Sequence, residues 1–389
     1  MEAKVLGMDW YNMFECAGGA CTLTCCAANW VIRLTDEEIK IYQDMEHPFR
    51  DSILEQIDME KKLLKGRGRH CALLNDEGWC RIILECGEEY LSGTCKIFPR
   101  CTAAYGDIKE RTVGIECPVV AGYLFRDESI EFDFGVCEID EAGNAIDFNL
   151  YDGLSYIRTY LIETYQKYGR SQPAAVAFLL IVCMIQIKSA FEIGEYSKAW
   201  AVQFADESFS EKVFESIFSR EEALTKTYFG KAEIISSIWN DLEGWLRRKL
   251  DRYIPELPFE DWDFLWKLLG DTEAFAGAIE RFTGEFREKY RMVYENYFVY
   301  ALFKSFIVTD SENFAKRMVD HFLEYMFFQS LAAAVYEHTG ELSQDIYTLL
   351  ITIVSREIEN RVDNLDVFLL LLEAKGLLTP DGLLSLLIF

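Results

Sequence analysis

The chain has 389 residues, 50% hydrophobic and 14% aromatic, enough apolar side chain for a sizeable core, for two or three domains by length, and too much for a disordered segment. Its formal net charge of −26 argues against nucleic acid as a partner, because neutralising phosphates takes clustered Lys and Arg; an acidic surface attracts a Lys-rich protein segment instead, or simply keeps the chain soluble. Met1-Glu2-Ala3-Lys4-Val5 lacks the basic start and apolar run of a secretion signal, and the longest apolar run, 174–185, is shorter than the ~17–25 residues of a membrane-spanning helix.

The expectation is therefore a cytoplasmic protein without a membrane span. Grouped cysteines in that reducing compartment more often bind metal than form disulfides. Ten of the 12 cysteines fall at or before Cys117. The first group is Cys16, Cys21, Cys25 and Cys26, where Gly18 and Gly19 let the backbone curl. Asn29 to Ile32 reads as a short extended piece. Thr35 with Glu38 forms a capping-box pattern that opens a helix over 36–44, and a second helix is predicted over about 49–64 after His47-Pro48. The segment 65–69, Lys-Gly-Arg-Gly-Arg, reads as a basic loop. Its glycines do not follow a strand, so it is not a phosphate-binding turn.

Between Cys71 and Cys80, Asn75-Asp76-Glu77-Gly78 is a turn signal that folds both sulfurs toward one centre. A short helix over 88–92 follows, then Cys95 and the stop Phe98-Pro99-Arg100. The stretches 101–105 and 108–115 read as a hairpin around Gly106-Asp107, Pro118 after Cys117 starts a helix to about Phe125, and 130–139 alternates as a strand with one wet face. Helical spacing dominates beyond Asn144, near 154–168, 174–190, 210–227, 231–252, 272–308, 311–337, 343–360 and 364–375. The expected architecture is mainly α: a small Cys-rich α+β N-terminal domain over 1–144, then a larger all-helical domain over 145–389.

The pool of candidate metal ligands is Cys16, Cys21, Cys25, Cys26, Cys71, Cys80, Cys95 and Cys117. Four thiolates hold an iron–sulfur cluster, while zinc sites are often built from Cys-x-x-Cys pairs. The early spacing, Cys-x4-Cys-x3-Cys-Cys, contains no such pair, which favours a cluster and leaves zinc, with His70 as a candidate ligand, as the alternative. A radical S-adenosylmethionine motif needs a third cysteine where Ala28 stands. With four histidines and no nucleophile turn, a Ser–His–acid triad has little support. Cys183, within an apolar helix, reads as packing. Tyr290, Tyr294 and Tyr297 share a helix face, as core or as an aromatic channel wall that attracts a cation. No residue is singled out as a general base.

Several segments together resemble the flagellin lysine-N-methylase family, whose cysteine-cluster region is shared with zinc- or iron-chelating proteins. They are Phe14-Glu15-Cys16, Cys21 through Cys26 with Trp30, Cys71-Ala72-Leu73-Leu74 to Cys80, Cys95 with Phe98-Pro99-Arg100, Cys117-Pro118, Glu295-Asn296-Tyr297 and Ser355-Arg356-Glu357-Ile358-Glu359. The resemblance implies methyl transfer from S-adenosylmethionine to lysine ε-amines, with flagellin as the candidate substrate, in an enzyme carrying a [4Fe-4S] cluster. The family tends to have His-Asn where this chain has Asn360-Arg361. The chain shows no Gly-rich strand–turn–helix for the donor. Arg100 is therefore a candidate to grip the donor's carboxylate, or else to pair with an acid or offset cluster charge. The competing reading is a non-catalytic, metal-stabilised module that binds a protein; a redox carrier stands behind both.

Overall fold

A computed structural model describes residues 2–388 apart from 29, 68, 69, 139–146, 204, 225–227, 309–310 and 359–361. The expected boundary at Asn144, the Asn360-Arg361 departure, Asn29, and Gly68-Arg69 of the basic loop lie outside the described residues. The protein is mainly helical with a small α+β region at its N-terminal end.

Four strands build the larger sheet: β1 (Glu2–Met8), β2 (Arg100–Tyr105), β3 (Ile108–Val113) and β4 (Phe132–Glu138), in the order β2-β3-β1-β4. The β2–β3 hairpin turns at Gly106-Asp107, as the turn residues predict. Strand β1 was not among the expected elements. It runs parallel to β3, with Lys4 opposite Ile108, and antiparallel to β4, with Glu2 opposite Glu138. A parallel neighbour needs a long crossover. Here the crossover holds the whole region 9–99, and with it Cys16, Cys21, Cys25, Cys26, Cys71, Cys80 and Cys95.

That excursion has a small core of its own: Leu34, Ile39, Tyr42, Ile53, Leu73 and Ile82, with Cys71, Cys80 and Cys86 packed against it. Helix α1 (Asp36–Asp44) forms as expected, with both capping-box bonds made: Glu38 N donates to Thr35 Oγ1 at 3.1 Å, and Thr35 N donates to Glu38 Oε2 at 2.7 Å. The helix expected over 49–64 is confined to Arg50–Leu54. Asp58 Oδ1 accepts from Lys61 N, Lys62 takes a positive φ, and the chain folds into a two-strand ribbon, Ile57–Asp58 with Leu63–Leu64. Part of the basic loop, Gly66–Arg67, pairs with His70–Cys71 as a second ribbon.

Helix α2 (Pro118–Tyr123) begins at proline, whose missing N–H costs nothing at a first helical position. Beyond β4 come α3 (Phe148–Tyr168), α4 (Pro173–Ile193), α5 (Thr272–Lys289), α6 (Arg291–Ser305), α7 (Ser311–Thr339) and α8 (Gln344–Ile358), with further helices between and after them. The helix expected over 272–308 breaks at Tyr290, which carries φ −119° and ψ 29° and donates its hydroxyl to Leu342 O at 2.9 Å. The one over 231–252 is divided into Tyr228–Asp241 and Glu243–Leu250, followed by a 3₁₀ turn. Strand β4 also departs from expectation. It lies at the sheet edge, and Phe134 and Val136 are exposed where one covered face was expected.

The main core runs from Met8 on β1 through α2 to Ile388, so the sheet and the helices share one apolar interior. By length and composition α4 could cross a membrane, yet Val176, Leu179, Leu180, Cys183 and Ile187 are buried within that interior. The sheet is also joined to the helices by a buried pair, Arg158 of α3 and Glu110 of β3.

Candidate metal centre and aromatic cavity

Local structure presents each cysteine of the pool. Cys25 opens a 3₁₀ turn whose Cys26 N–H is capped by Thr24 Oγ1. Gly18 and Gly19 lie against the Trp79 indole, and a Cβ on either would enter the ring, so the first cysteine loop can close only with glycine there. Asn75 Oδ1 accepts from Glu77 N and from Trp79 N, and the resulting turn returns Cys80 to bridge Leu74. Cys95 N donates to Ser92 Oγ in a short helix, and Cys117 is the N-cap of α2.

These segments converge on Cys25. A charge on Cys25 acts on Cys21, Cys26, Cys71, Cys80, Cys95 and Cys117, and a charge on Cys16 acts on Cys21. Cys25 thus lies within electrostatic reach of six of the other seven candidate sulfurs, while the exposed Cys16 reaches only Cys21. Burial pushes the Cys95 thiol up to about 11 and Cys117 to about 12. The Cys26 thiol hydrogen-bonds to the Cys25 sulfur, which lowers Cys25 and raises Cys26, and the charge of Arg356 favours the Cys25 thiolate further. Cys25, Cys26, Cys71 and Cys95 line a cavity of about 60 Å³, closed by Trp30, Phe98, Lys65 and His70.

What could this donor set hold? All 12 cysteines are free thiols. Among the described residues, no three Cys, His, Asp or Glu side chains close on a single ion position. A tetrahedral zinc site draws its sulfurs to roughly 2.3 Å from one ion, whereas a cluster offers separate irons to its thiolates and accepts a wider spread. Thiols spaced around a cavity fit the second arrangement better.

Arg356 of α8 also belongs to this site, a placement that no spacing in the sequence reveals. Its buried guanidinium donates from Nη2 to Leu23 O (2.8 Å), from Nη1 to Thr24 O (3.4 Å) and from Nε to Glu116 O (2.9 Å). It thus ties the first cysteine loop to the residue before Cys117. Arg100 makes comparable bonds elsewhere, from Nε to Tyr11 O (3.0 Å) and from Nη2 to Phe14 O (2.8 Å), against both aromatic rings. Those contacts occupy much of the fork that a carboxylate would need. Of the other cysteines, Cys183 is fully buried in α4, Cys86 Sγ lies 3.5 Å from His47 Nδ1, and Cys101 is exposed on β2.

The three tyrosines do not act together. Tyr290 and Tyr294 line a second cavity, of about 70 Å³, whereas Tyr297 is fully buried and donates to Glu324 Oε2 at 2.6 Å. Sequence spacing also did not reveal a buried polar group beside it, in which Ser305 Oγ lies 2.9 Å from His321 Nε2 and Glu324 Oε2 lies 3.6 Å from His321 Nδ1. The second cavity has further aromatic walls in Phe282, Phe286, Tyr325 and Tyr347, and three arginines, Arg170, Arg287 and Arg291.

Two elements connect the cavities. Tyr347 lines the second, and Arg356, nine residues along α8, reaches the cysteines, a rise of about 14 Å at 1.5 Å per residue. Helix α2 (Pro118–Tyr123) lies between Cys117 and Phe125, whose ring packs edge-on against Tyr290 and Tyr347.

Comparison with known proteins points the same way as the residues. The chain is 28% identical over 139 residues to the flagellar biosynthetic protein FliU of Salmonella muenchen, an alignment covering 32% of this chain and 79% of that protein. Lysine-N-methylases of Salmonella typhimurium and Salmonella choleraesuis are each 28% identical over 135 residues, covering 32% of this chain and 33% of theirs. These alignments span about a third of the methylases' own length. No solved structure matches. The family model described as the FliB lysine N-methylase C-terminal domain matches residues 158–386, more than half of the chain and nearly all of its helical part, so this protein belongs to the FliB lysine N-methylase family.

Proposed function

We propose that the protein is a protein-lysine N-methyltransferase that takes its methyl group from S-adenosylmethionine, carries an iron–sulfur cluster on its cysteines, and works in the reducing cytosol on a Lys-rich acceptor such as flagellin. The family match over 158–386 carries this reading, because it covers both the aromatic cavity and Arg356. The cluster part is supported by Cys25, Cys26, Cys71 and Cys95, which line one cavity, with Cys21, Cys80 and Cys117 within electrostatic reach of Cys25.

In the transfer, the neutral lysine nitrogen attacks the methyl carbon and the carbon–sulfur bond breaks. Its electron pair stays on sulfur, giving S-adenosylhomocysteine, and the nitrogen then loses a proton. Free lysine has a pKa near 10.4, so only roughly one side chain in 2,500 is neutral at pH 7. An apolar aromatic site free of carboxylates raises that fraction by disfavouring the ammonium form. A cluster held by these thiolates would supply a common anionic centre that fastens the first cysteine loop, the ribbon at Cys71 and the start of α2 to one another.

The test is anaerobic purification with iron, sulfide and zinc analysis, followed by incubation with labelled S-adenosylmethionine and flagellin or another Lys-rich protein. Iron with sulfide and methyl-lysine in the acceptor are expected. Protein with neither iron nor zinc removes the cluster, and metal-loaded protein that methylates nothing becomes the non-catalytic binding module.

A further inference from the structure

The second cavity is chemically out of character for this chain. The protein has 65 acidic residues against 39 basic ones, yet among the described residues no Asp or Glu lines the cavity and three arginines do. Arg170 is committed to Glu295 at 2.9 Å. Arg287 and Arg291, both exposed at the mouth, make no ion pair or hydrogen bond among the described residues. On so acidic a surface, two guanidiniums kept clear of carboxylates leave their forks available to an anion brought from outside. Inside, the walls are aromatic, and the Thr283 hydroxyl is buried without a hydrogen-bond partner. Such an orphaned donor costs free energy unless a ligand satisfies it.

Cationic forks at the mouth, π faces within and an unsatisfied hydroxyl describe a ligand with a carboxylate at one end and an apolar or cationic body. We propose that this cavity, between α5, α6 and α8, binds the methionine end of S-adenosylmethionine, with Arg287 and Arg291 on its carboxylate and Tyr294 facing its sulfonium, the Tyr290 ring being already stacked on Phe286 beneath the Lys289 ammonium. The assignment rests on the methyltransferase reading. Aromatic faces attract a sulfonium as they attract an ammonium group. Along α8 the cavity and the cysteine site are nine residues apart, a rise of about 14 Å, so the donor held here does not ligate the cluster.

The experiment is direct binding of S-adenosylmethionine to full-length, metal-loaded protein by calorimetry, for the parent and for the double variant Arg287→Gln, Arg291→Gln. Both positions are exposed, so the melting temperature and metal content should not change. The proposal expects binding roughly 10- to 100-fold weaker, from loss of charge-assisted hydrogen bonds. It also expects the visible and EPR spectra of the metal centre to stay the same when the donor is added. A double variant that binds as well as the parent, or a spectrum that shifts on donor addition, overturns the site and leaves the methyltransferase reading standing. A parent that binds no S-adenosylmethionine and methylates nothing overturns both.

Discussion

Three main-chain carbonyls, from Leu23, Thr24 and Glu116, meet one guanidinium that arrives from more than 200 residues further along the chain. Arg356 satisfies them, lies over the Trp30 ring, and brings a positive charge to a site whose thiols raise one another's pKa. Replacing it by alanine strands buried acceptors and frees the first cysteine loop from α2. Losing hydrogen bonds to a buried charged group costs about 1.5–3 kcal/mol each. Arg356→Ala should therefore lower stability by several kcal/mol and reduce bound metal, while Arg356→Lys keeps the charge, loses the fork and falls between. Denaturant melts with metal analysis decide it. A variant with full metal content and parental stability would mean that the loop is organised without it.

Between elements, the decisive contact joins β3 to α3. Arg158 Nη1 and Nη2 hold both Glu110 carboxylate oxygens at 2.7 and 2.6 Å, and the Tyr151 hydroxyl adds a third bond at 2.7 Å. Both side chains are almost wholly buried. Removing one partner of such a pair leaves an uncompensated charge in the core, a loss of about 3–5 kcal/mol. Glu110→Gln should cost that much in urea unfolding, whereas replacing both by apolar residues of similar volume should cost less. A single variant within 1 kcal/mol of the parent, roughly the cost of an exposed pair, would show that the sheet is held by apolar packing alone. The break at Tyr290 belongs to the same scale. Without it α5 and α6 would run on as one helix, and Tyr290 could not turn its ring toward Phe125 and Tyr347.

For the whole molecule, the charge of −26 sets how the Lys-rich acceptor of the proposed reaction would be met. A Lys-rich protein is drawn in by the summed field, and salt shortens that field's reach. The expected signature is a severalfold fall in kcat/KM toward a Lys-rich acceptor between about 0.05 and 0.5 M salt, with little change for a small neutral lysine peptide. Equal salt responses for the two acceptors would reduce the acidic surface to a solubility device.

Much of the local architecture was legible in the residues themselves. Thr35 and Glu38 start α1, Gly106-Asp107 turns the β2–β3 hairpin, Cys117-Pro118 opens α2, and Asn75 to Gly78 fold Cys80 back, because each is decided by groups a few residues apart. Of the eight cysteines picked out by position, Cys25, Cys26, Cys71 and Cys95 line one cavity. Other features depend on partners far along the chain. Strand β1 is a strand because β3 and β4 flank it, the helix after Pro48 stops because the chain turns back at Lys62, and Tyr290 interrupts a helical run that contains no proline there. Arg356 reaches the cysteines, and Arg287 and Arg291 share an acid-free mouth, only once the helices have packed. Sequence spacing determines what a residue can do with its neighbours within a turn or two. Which distant surface fills the remaining hydrogen bonds and apolar area is decided by the tertiary fold, where the free energy of burial selects among many pairings that the local pattern leaves equivalent.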